Sequence, residues 1–274
     1  MKKVKISIIS DNYDIKHWGF IWNDKYCKCL YKELLYTIEM IYSLYRDSDL
    51  KLELINSMGL GVNLVFSALS INLRDCAGKF KDKIIVHALI PYAYQDMVYK
   101  PQDKNSYKYL LQHSDIVDIL TYESFSTAKI KSAEMWKIEN SDQIIMLTND
   151  EDNPYINYAR TLKVPSYFIK PKDIELMIQW LDYFDKYTRC LIENVKDENE
   201  EISEAKRIIS KYAREVLSIE FIDYEQDKEI TLEERRYKYL HLSSEMAHHI
   251  VRYQRIMDAF KKSYNRKDAI KENE

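Results

Sequence analysis

The sequence predicts an α/β fold, a parallel sheet with helices on both faces, followed by an all-helical C-terminal region. Up to about residue 170, short β-branched runs alternate with segments whose apolar residues recur every three or four positions. This strict alternation is typical of βαβ units. From about residue 173 onward only the helical periodicity remains. We therefore predict two regions, residues 1–171 and 172–274.

Six apolar runs are predicted as strands. The first, residues 4–9, ends at the polar cluster Ser10, Asp11 and Asn12, as expected of a strand that leads into a functional loop. The other runs cover residues 52–55, 84–90, 116–120, 143–147 and 166–169. Helical periodicity lies between them, at about residues 27–44, 61–75, 102–113, 129–140 and 153–163. Two amphipathic stripes, at about residues 202–219 and 232–260, predict two or three long C-terminal helices.

The charge, hydropathy and cysteine content of the chain argue against several classes of protein. The 274 residues carry 41 Lys and Arg against 44 Asp and Glu, so no global positive field draws the chain to nucleic acid. A local patch of lysines stays open, at positions 79, 81, 83, 129 and 131. No apolar run approaches the ~18 residues of a membrane span. The four cysteines lack C-x-x-C spacing, which favours a reducing, cytoplasmic location.

The loops that follow the strands are the best candidates for a binding site. In an open parallel sheet, ligands bind beyond the carboxyl ends of the strands, where helix N-termini offer unpaired amides. The loop at residues 56–63 contains Gly59 and Gly61 and opens a helix, so its backbone can approach an anion closely. A bare G-x-G fits a tight turn equally well. Asp11 and Asn12 can contact a ribose or cap a helix.

Several motifs, taken in order, resemble the SLOG superfamily, named for the DNA-processing Smf/DprA proteins and the LOG enzymes. Residues 56–63 resemble the S-G-M-A-x-G-V-D pattern of its YpsA-like branch, with Met58, Gly61 and Val62 retained and Asn63 in place of the acidic residue. Pro91 through Gln95 resembles the P-F/Y-x-x-Q motif of that branch. Residues 107–115 and 139–142 resemble two later motifs. The resemblance covers about residues 1–170 and implies a Rossmann-like fold that binds a nucleotide-like small molecule.

The resemblance implies a ligand site at three loops and one helix. Its residues are Ser10, Asp11, Asn12, Met58, Gly59, Gly61, Asn63, Pro91, Gln95 and Lys131. Lys131 enters because the Arg-Asn pair of the family falls near Ala133 and Glu134, which leaves this lysine as the nearest cation. The Gly-Gly-Thr loop of the family is replaced by the acidic residues 149–153, which are expected to repel a phosphate.

Other catalytic and cofactor motifs are missing from the sequence. It has no Walker A motif, no G-x-S-x-G elbow, no H-E-x-x-H and no LOG-type P-G-G-x-G-T-x-x-E motif. Glu245 and His248 match a single E-x-x-H element, but a di-iron bundle needs a second copy. We therefore predict neither a cofactor nor a metal.

The sequence is best interpreted as a non-catalytic or regulatory protein that binds a nucleotide-like molecule and signals through its helical appendage. The C-terminal helices are expected to form a homo-oligomer or to bind a protein partner. One alternative is an enzyme that acts on a nucleotide or its ribosyl bond, with Asp11 or Glu134 as acid or base. Another is a degenerate scaffold with an empty pocket that acts through protein contacts.

Overall fold

The computed structural model describes residues 2–10, 24–45, 49–76 and 78–193, together with residues 244, 246–248 and 250–252. The chain divides into two compact units, Met1–Lys172 and Asp173–Glu274. Residues 244, 246–248 and 250–252 are helical, but most of the second unit lies outside the described residues. The predicted helix at residues 202–219 and most of the one at 232–260 fall there, so the all-helical character of this region stays a prediction.

The first unit is built on a six-stranded parallel sheet, as predicted. The strands are β1 (Lys3–Ser10), β2 (Lys51–Asn56), β3 (Ile84–Ile90), β4 (Ile116–Ile119), β5 (Gln143–Leu147) and β6 (Ser166–Ile169). They lie in the order β4-β3-β2-β1-β5-β6, and all five pairings are parallel. The order reverses between β1 and β5, and such a switch point opens a crevice at the carboxyl ends of the strands. The fold is therefore of the Rossmann-like α/β type.

Each strand is followed by a helix. Between β1 and the first helix lie residues 11–23, which are outside the described residues. The helices are α1 (Lys25–Ser43), α2 (Val62–Asp75), α3 (Pro101–Gln112), α4 (Thr127–Glu139), α5 (Pro154–Thr161) and α6 (Pro171–Glu193). A short 3₁₀ helix, Gln95–Val98, lies between β3 and α3. None of the described helices is both long enough and apolar enough to cross a membrane.

The core lies on both faces of the central strands. Every residue of β5 is buried, as is all of β2 after Lys51, and parallel strands covered on both faces have this pattern. Helix α4 places Ile138 against Ile9 and Met146, and α5 adds Ile156 to the same cluster. Helix α2 packs against α1 and against β1, β2 and β3. This packing fixes α2 and α4 relative to the carboxyl edge of the sheet.

Candidate functional site

A cavity of about 740 Å³ lies at the carboxyl edge of the sheet. It is bounded by Ser10 at the end of β1, by the loops after β2, β3 and β4, by α4, and by the start of α5. Its lining residues are Ser10, Ser57, Gly59, Leu60, Asn63, Pro91, Tyr92, Gln95, Val98, Tyr99, Phe125, Ile130, Lys131, Glu134, Met135, Asn153, Pro154, Tyr155 and Tyr158. The position is the one at which parallel α/β sheets bind ligands.

The loop between β2 and α2 is fixed by side chains at both of its ends. Asn56 Oδ1 accepts a hydrogen bond from the Met58 amide at 3.0 Å, and Asn63 Oδ1 accepts one from the Ser57 amide at 3.1 Å. Between them the backbone turns through positive φ at Met58 (54°) and Gly61 (79°). The ψ of −126° at Gly61 puts it in a region that only glycine occupies readily. The second glycine of the G-x-G pattern is thus required by the turn.

The 3₁₀ helix and Tyr99, which directly follows it, form hydrogen bonds to the same loop from the β3 side. Gln95 Nε2 donates to the Ser57 carbonyl at 3.2 Å and to the Tyr99 hydroxyl oxygen at 2.7 Å. Tyr99 in turn donates its hydroxyl hydrogen to the Met58 carbonyl at 3.2 Å. Burial raises the pKa of Tyr99, which keeps the phenol protonated and able to donate. Both carbonyls of the loop are therefore held by contacts from about 40 residues downstream in the chain.

Beneath the cavity, α4 contributes a buried ion pair. Lys137 is fully buried, and its Nζ lies 2.9 Å from Glu134 Oε1 and 2.6 Å from the Ile8 carbonyl. Ser57 Oγ lies 3.1 Å from the same Glu134 oxygen and 3.4 Å from Lys137 Nζ. Taking two charges out of water is unfavourable unless they are paired and hydrogen-bonded, and here both conditions hold. The pair ties α4 to the ends of β1 and β2.

The N-terminus of α2 opens into the cavity without a capping side chain. Its N-cap residue is Gly61, whereas α5 is capped by Asn153, whose side chain accepts the Tyr155 amide at 2.8 Å. Uncapped amides and the helix dipole together favour an anion. Lys131 lies at the rim of this cavity, is exposed, and has no ion-pair partner among the described residues. Among the described residues, the N-terminus of α2 and the Lys131 side chain are thus the parts of the cavity that favour a negatively charged group.

Aromatic side chains cover much of the remaining cavity wall. They are Tyr92, Tyr99, Phe125, Tyr155 and Tyr158. The rings of Tyr92 and Phe125 meet edge to face with centroids 5.4 Å apart, and Tyr99 meets Tyr107 in the same way at 5.6 Å. Rings fixed in this manner offer flat apolar surface to a planar ligand.

The structure brings together most of the residues predicted for the site. Ser10, Gly59, Asn63, Pro91, Gln95 and Lys131 all line the cavity. Met58 is fully buried behind the lining, and Gly61 is the N-cap of α2. Asp11 and Asn12 lie outside the described residues. Ligand binding by these residues stays a prediction, because the structure shows where they lie and not what they bind.

Sequence reasoning missed the aromatic wall and Ser57. Tyrosine is abundant throughout this chain, with 23 copies, so no local pattern distinguished the five aromatic residues of the lining. They come from four separate segments that only the fold assembles. Ser57 lay inside the predicted loop, but its role depends on Glu134 and Lys137, which are 77 and 80 residues away in sequence.

The acidic loop at residues 149–153 does not place its carboxylates in the cavity lining. Only Asn153 of that loop lines the cavity. Glu151 forms an ion pair with Lys170 at 2.9 Å, and Asp150 Oδ1 accepts the Asp152 amide at 2.9 Å. None of the three carboxylates of this loop is therefore part of the lining, and the expected repulsion of a phosphate stays a prediction.

The lysines considered for a basic patch lie at opposite edges of the sheet. Residues 79, 81 and 83 precede the amino end of β3, whereas Lys129 and Lys131 lie in the first turns of α4, which follows the carboxyl end of β4. Lys79 and Lys129 are also paired, with Glu39 and Glu123 respectively. These five residues therefore do not form one patch.

Comparison with known proteins leaves the family open. No protein-family model and no curated protein matches the chain. Within the described ranges, no group of three or more His, Cys, Asp or Glu side chains has a geometry that could hold a metal ion. The functional conclusion therefore rests on the cavity and on the residues around it.

Proposed function

We propose that this chain binds a nucleotide-like small molecule in the cavity at the carboxyl edge of its sheet and acts as a regulatory, non-catalytic protein of the SLOG type. The observation that carries the proposal is the uncapped N-terminus of α2, which opens into a cavity of about 740 Å³. Lys131, which has no ion-pair partner in the described part of the chain, lines the same cavity. A phosphate group matches both features in charge. The cavity volume falls within the range of small-molecule sites, ~300–1,000 Å³.

The aromatic wall supports a planar group at the other end of the ligand. Tyr92 and Phe125 lie after β3 and β4, whereas Tyr155 and Tyr158 lie on α5, so aromatic residues bound the cavity on separate elements. Stacking of a base on an aromatic ring contributes ~1–3 kcal/mol. A phosphate held at α2 and a base held among these rings together describe a nucleotide.

A charge variant at Gly59 tests the binding of an anion. A Cβ atom at Gly59 would meet Asn63 Nδ2 at 3.5 Å, an ordinary contact, so a side chain fits there. We expect adenine and guanine nucleotides to raise the Tm of the wild type, since a ligand at 100 times its Kd stabilises by ~2.7 kcal/mol. Gly59→Asp should lose this shift, and the similarly sized but uncharged Gly59→Asn should retain more of it.

A second pair of variants tests the cation at the rim. Lys131→Met removes the ammonium group at the rim of the cavity, whereas Lys129→Met removes a neighbouring lysine that pairs with Glu123 and does not line the cavity. We expect only the first to weaken nucleotide binding, by about tenfold, measured by calorimetry. If no nucleotide stabilises the wild type, the proposal is wrong and the degenerate scaffold replaces it.

The helical C-terminal region is the proposed output. Its amphipathic stripes are long enough to pair with each other or with a partner, which favours a homo-oligomer or a protein complex. Light scattering of the full chain, with and without the nucleotide that gives the largest Tm shift, tests this. A ligand-dependent change in mass supports signalling through assembly, and an unchanged monomer contradicts it.

One observation favours an enzyme as the second candidate. Glu134 lines the cavity, and Lys137 holds one of its oxygens while the other has no partner in the described part of the chain. A carboxylate so placed can act as an acid or base on a ribosyl bond. Release of free base from nucleoside monophosphates, lost in Glu134→Gln, would establish this activity.

A further inference from the structure

Two side chains that line the cavity each carry an acceptor atom that is buried without a hydrogen-bond donor among the described residues. These atoms are Glu134 Oε2 and Gln95 Oε1. Glu134 is 5% exposed and Gln95 is 4% exposed, and both line the cavity. Buried polar groups in folded proteins are nearly always hydrogen-bonded, and each exception needs an explanation. Neither oxygen is exposed to solvent, so a ligand in the cavity reaches them only once the two side chains turn towards it, and it then supplies the missing donors.

The orientation of the Gln95 amide follows from its neighbours. The Ser57 carbonyl can only accept, so the atom that faces it at 3.2 Å must be the amide nitrogen. The same nitrogen reaches the Tyr99 hydroxyl oxygen, whose own hydrogen is directed to the Met58 carbonyl. Both hydrogens of the amide group are thus used, and Oε1 is left as an acceptor without a donor among the described residues.

The Glu134 carboxylate is oriented in a comparable way. Its Oε1 lies 2.9 Å from Lys137 Nζ and 3.1 Å from Ser57 Oγ, so that oxygen is satisfied. The charge of the carboxylate is balanced by Lys137, and a further cation would therefore gain little there. A neutral donor, such as a hydroxyl group, suits Oε2 better.

Both side chains contact the same residue. Gln95 donates to the Ser57 carbonyl, and the Ser57 hydroxyl lies 3.1 Å from both Glu134 Oε1 and Asn63 Oδ1. We infer that Glu134 and Gln95 recognise the cis-diol of a ribose, each accepting a hydrogen bond from one hydroxyl. This inference rests on the proposed nucleotide binding and makes it specific for ribonucleotides.

Analogues that lack the hydroxyls test the inference directly. The probes are adenosine 5′-monophosphate, its 2′-deoxy and 2′,3′-dideoxy forms, and ribose 5-phosphate, each titrated calorimetrically into the full chain. We expect the dideoxy form to bind at least about tenfold more weakly than the ribonucleotide, because it leaves both acceptors unpaired. The 2′-deoxy form should fall between them.

Variants then assign the discrimination to the two side chains. Glu134→Gln keeps an oxygen for Lys137 but replaces the acceptor Oε2 by an amide nitrogen, and Gln95→Met removes the other acceptor. Each should reduce the preference for ribonucleotide over dideoxynucleotide to about threefold or less. Gln143→Met is the matched control, because Gln143 also has a buried unpartnered Oε1 but does not line the cavity. It should keep the wild-type preference.

The outcomes separate this inference from the proposal on which it rests. Equal binding of the three adenosine nucleotides overturns diol recognition and leaves nucleotide binding intact. Binding of ribose 5-phosphate alone, weakened in Glu134→Gln or Gln95→Met, supports the diol site and overturns the role of the base. If none of the four probes binds, both are overturned. Should Glu134→Gln fail to fold, Gln95→Met still decides the matter.

Discussion

The loops after β2 and β5 reach the same cavity from the same edge of the sheet, but different contacts hold them. The β2 loop is fixed by Gln95, Tyr99 and Glu134, which lie 38, 41 and 77 residues from their partners. The turn after β5 is built mainly from contacts two residues apart, among Thr148, Asp150 and Asp152. The open helix start is therefore held by contacts that span longer stretches of chain than those at the capped start, where Lys170 and Lys172 contact Glu151 and Asn149 across 19 and 23 residues.

The N-termini of α2 and α5, which follow these two loops, differ in whether a side chain caps them. Helix α2 begins after a glycine with φ of 79° and no capping side chain, so its first amides are available to a ligand. Helix α5 begins with Asn153, which caps it, and with Pro154, which has no amide hydrogen. The N-terminus of α2 lacks the stabilisation of a capping side chain. The hydrogen bonds of Gln95 and Tyr99 to the preceding loop offset that loss.

We expect the largest loss of stability when the buried ion pair between Lys137 and Glu134 is broken, because Glu134 contacts the β2 loop at Ser57. Lys137→Met leaves the Glu134 carboxylate buried without its cation and should reduce the free energy of unfolding by ~3–5 kcal/mol. Urea denaturation measures this. The double variant Lys137→Met with Glu134→Gln removes both charges and should recover a large part of the loss. A single variant within about 1 kcal/mol of the wild type would show that the ion pair does not support the loop.

The next effect comes from the turn itself. Gly61→Ala forces a side chain into a backbone conformation that glycine alone adopts readily and should cost ~1–3 kcal/mol. Gly59→Ala is the control, since its Cβ has room and its φ is not in the positive range. Thermal unfolding of both variants compares them. Equal Tm values would mean that the G-x-G turn tolerates either substitution.

On the other loop, removal of the cap should have a smaller effect. Asn153→Ala exposes the first amides of α5 and should cost about 1 kcal/mol, the usual value for an N-cap. Asn153→Asp keeps the capping oxygen and should retain the stability of the wild type. Chemical denaturation of the two variants distinguishes a cap from general packing at this position. A loss in both variants would point to packing.

At neutral pH, we expect the smallest change in the free energy of unfolding from a variant of Glu53, which lies in β2 away from both loops. Burial raises the pKa of Glu53, but hydrogen bonds from Lys3 and His87 outweigh it, so the pKa lies below its ordinary value of 4.5. The stabilisation from this group is therefore complete above about pH 4.5 and is lost as the pH falls through the folded-state pKa.

Glu53→Gln removes this titration and tests the sign. We expect the unfolding free energy of the wild type to fall more steeply than that of Glu53→Gln as the pH is lowered from about 5 to 3. Glu39→Gln, in the more exposed pair with Lys79, serves as the comparison. Parallel curves for wild type and Glu53→Gln would contradict the predicted role of the buried carboxylate.

Much of the fold could be predicted from the sequence because apolar periodicity is a local property. All six strands and the five helices between them lie where the runs and stripes predicted them, within two residues at their ends. The end of β1 and the loops after β2 and β3 lie at the edge of a cleft, as predicted, since parallel strands end at one side. The predicted site residues Asp11 and Asn12 lie outside the described residues. The regulatory role and the SLOG resemblance remain proposals.

The alternation of strands and helices and the position of the G-x-G turn follow from local sequence patterns, because both depend on neighbouring residues. Only the tertiary structure decided which acidic residue enters the cavity: Glu134 does, and the carboxylates of residues 150–152 do not. It also decided that Lys137, rather than an exposed partner, neutralises Glu134. The physical reason is that burial and pairing of charges depend on elements far apart in the chain.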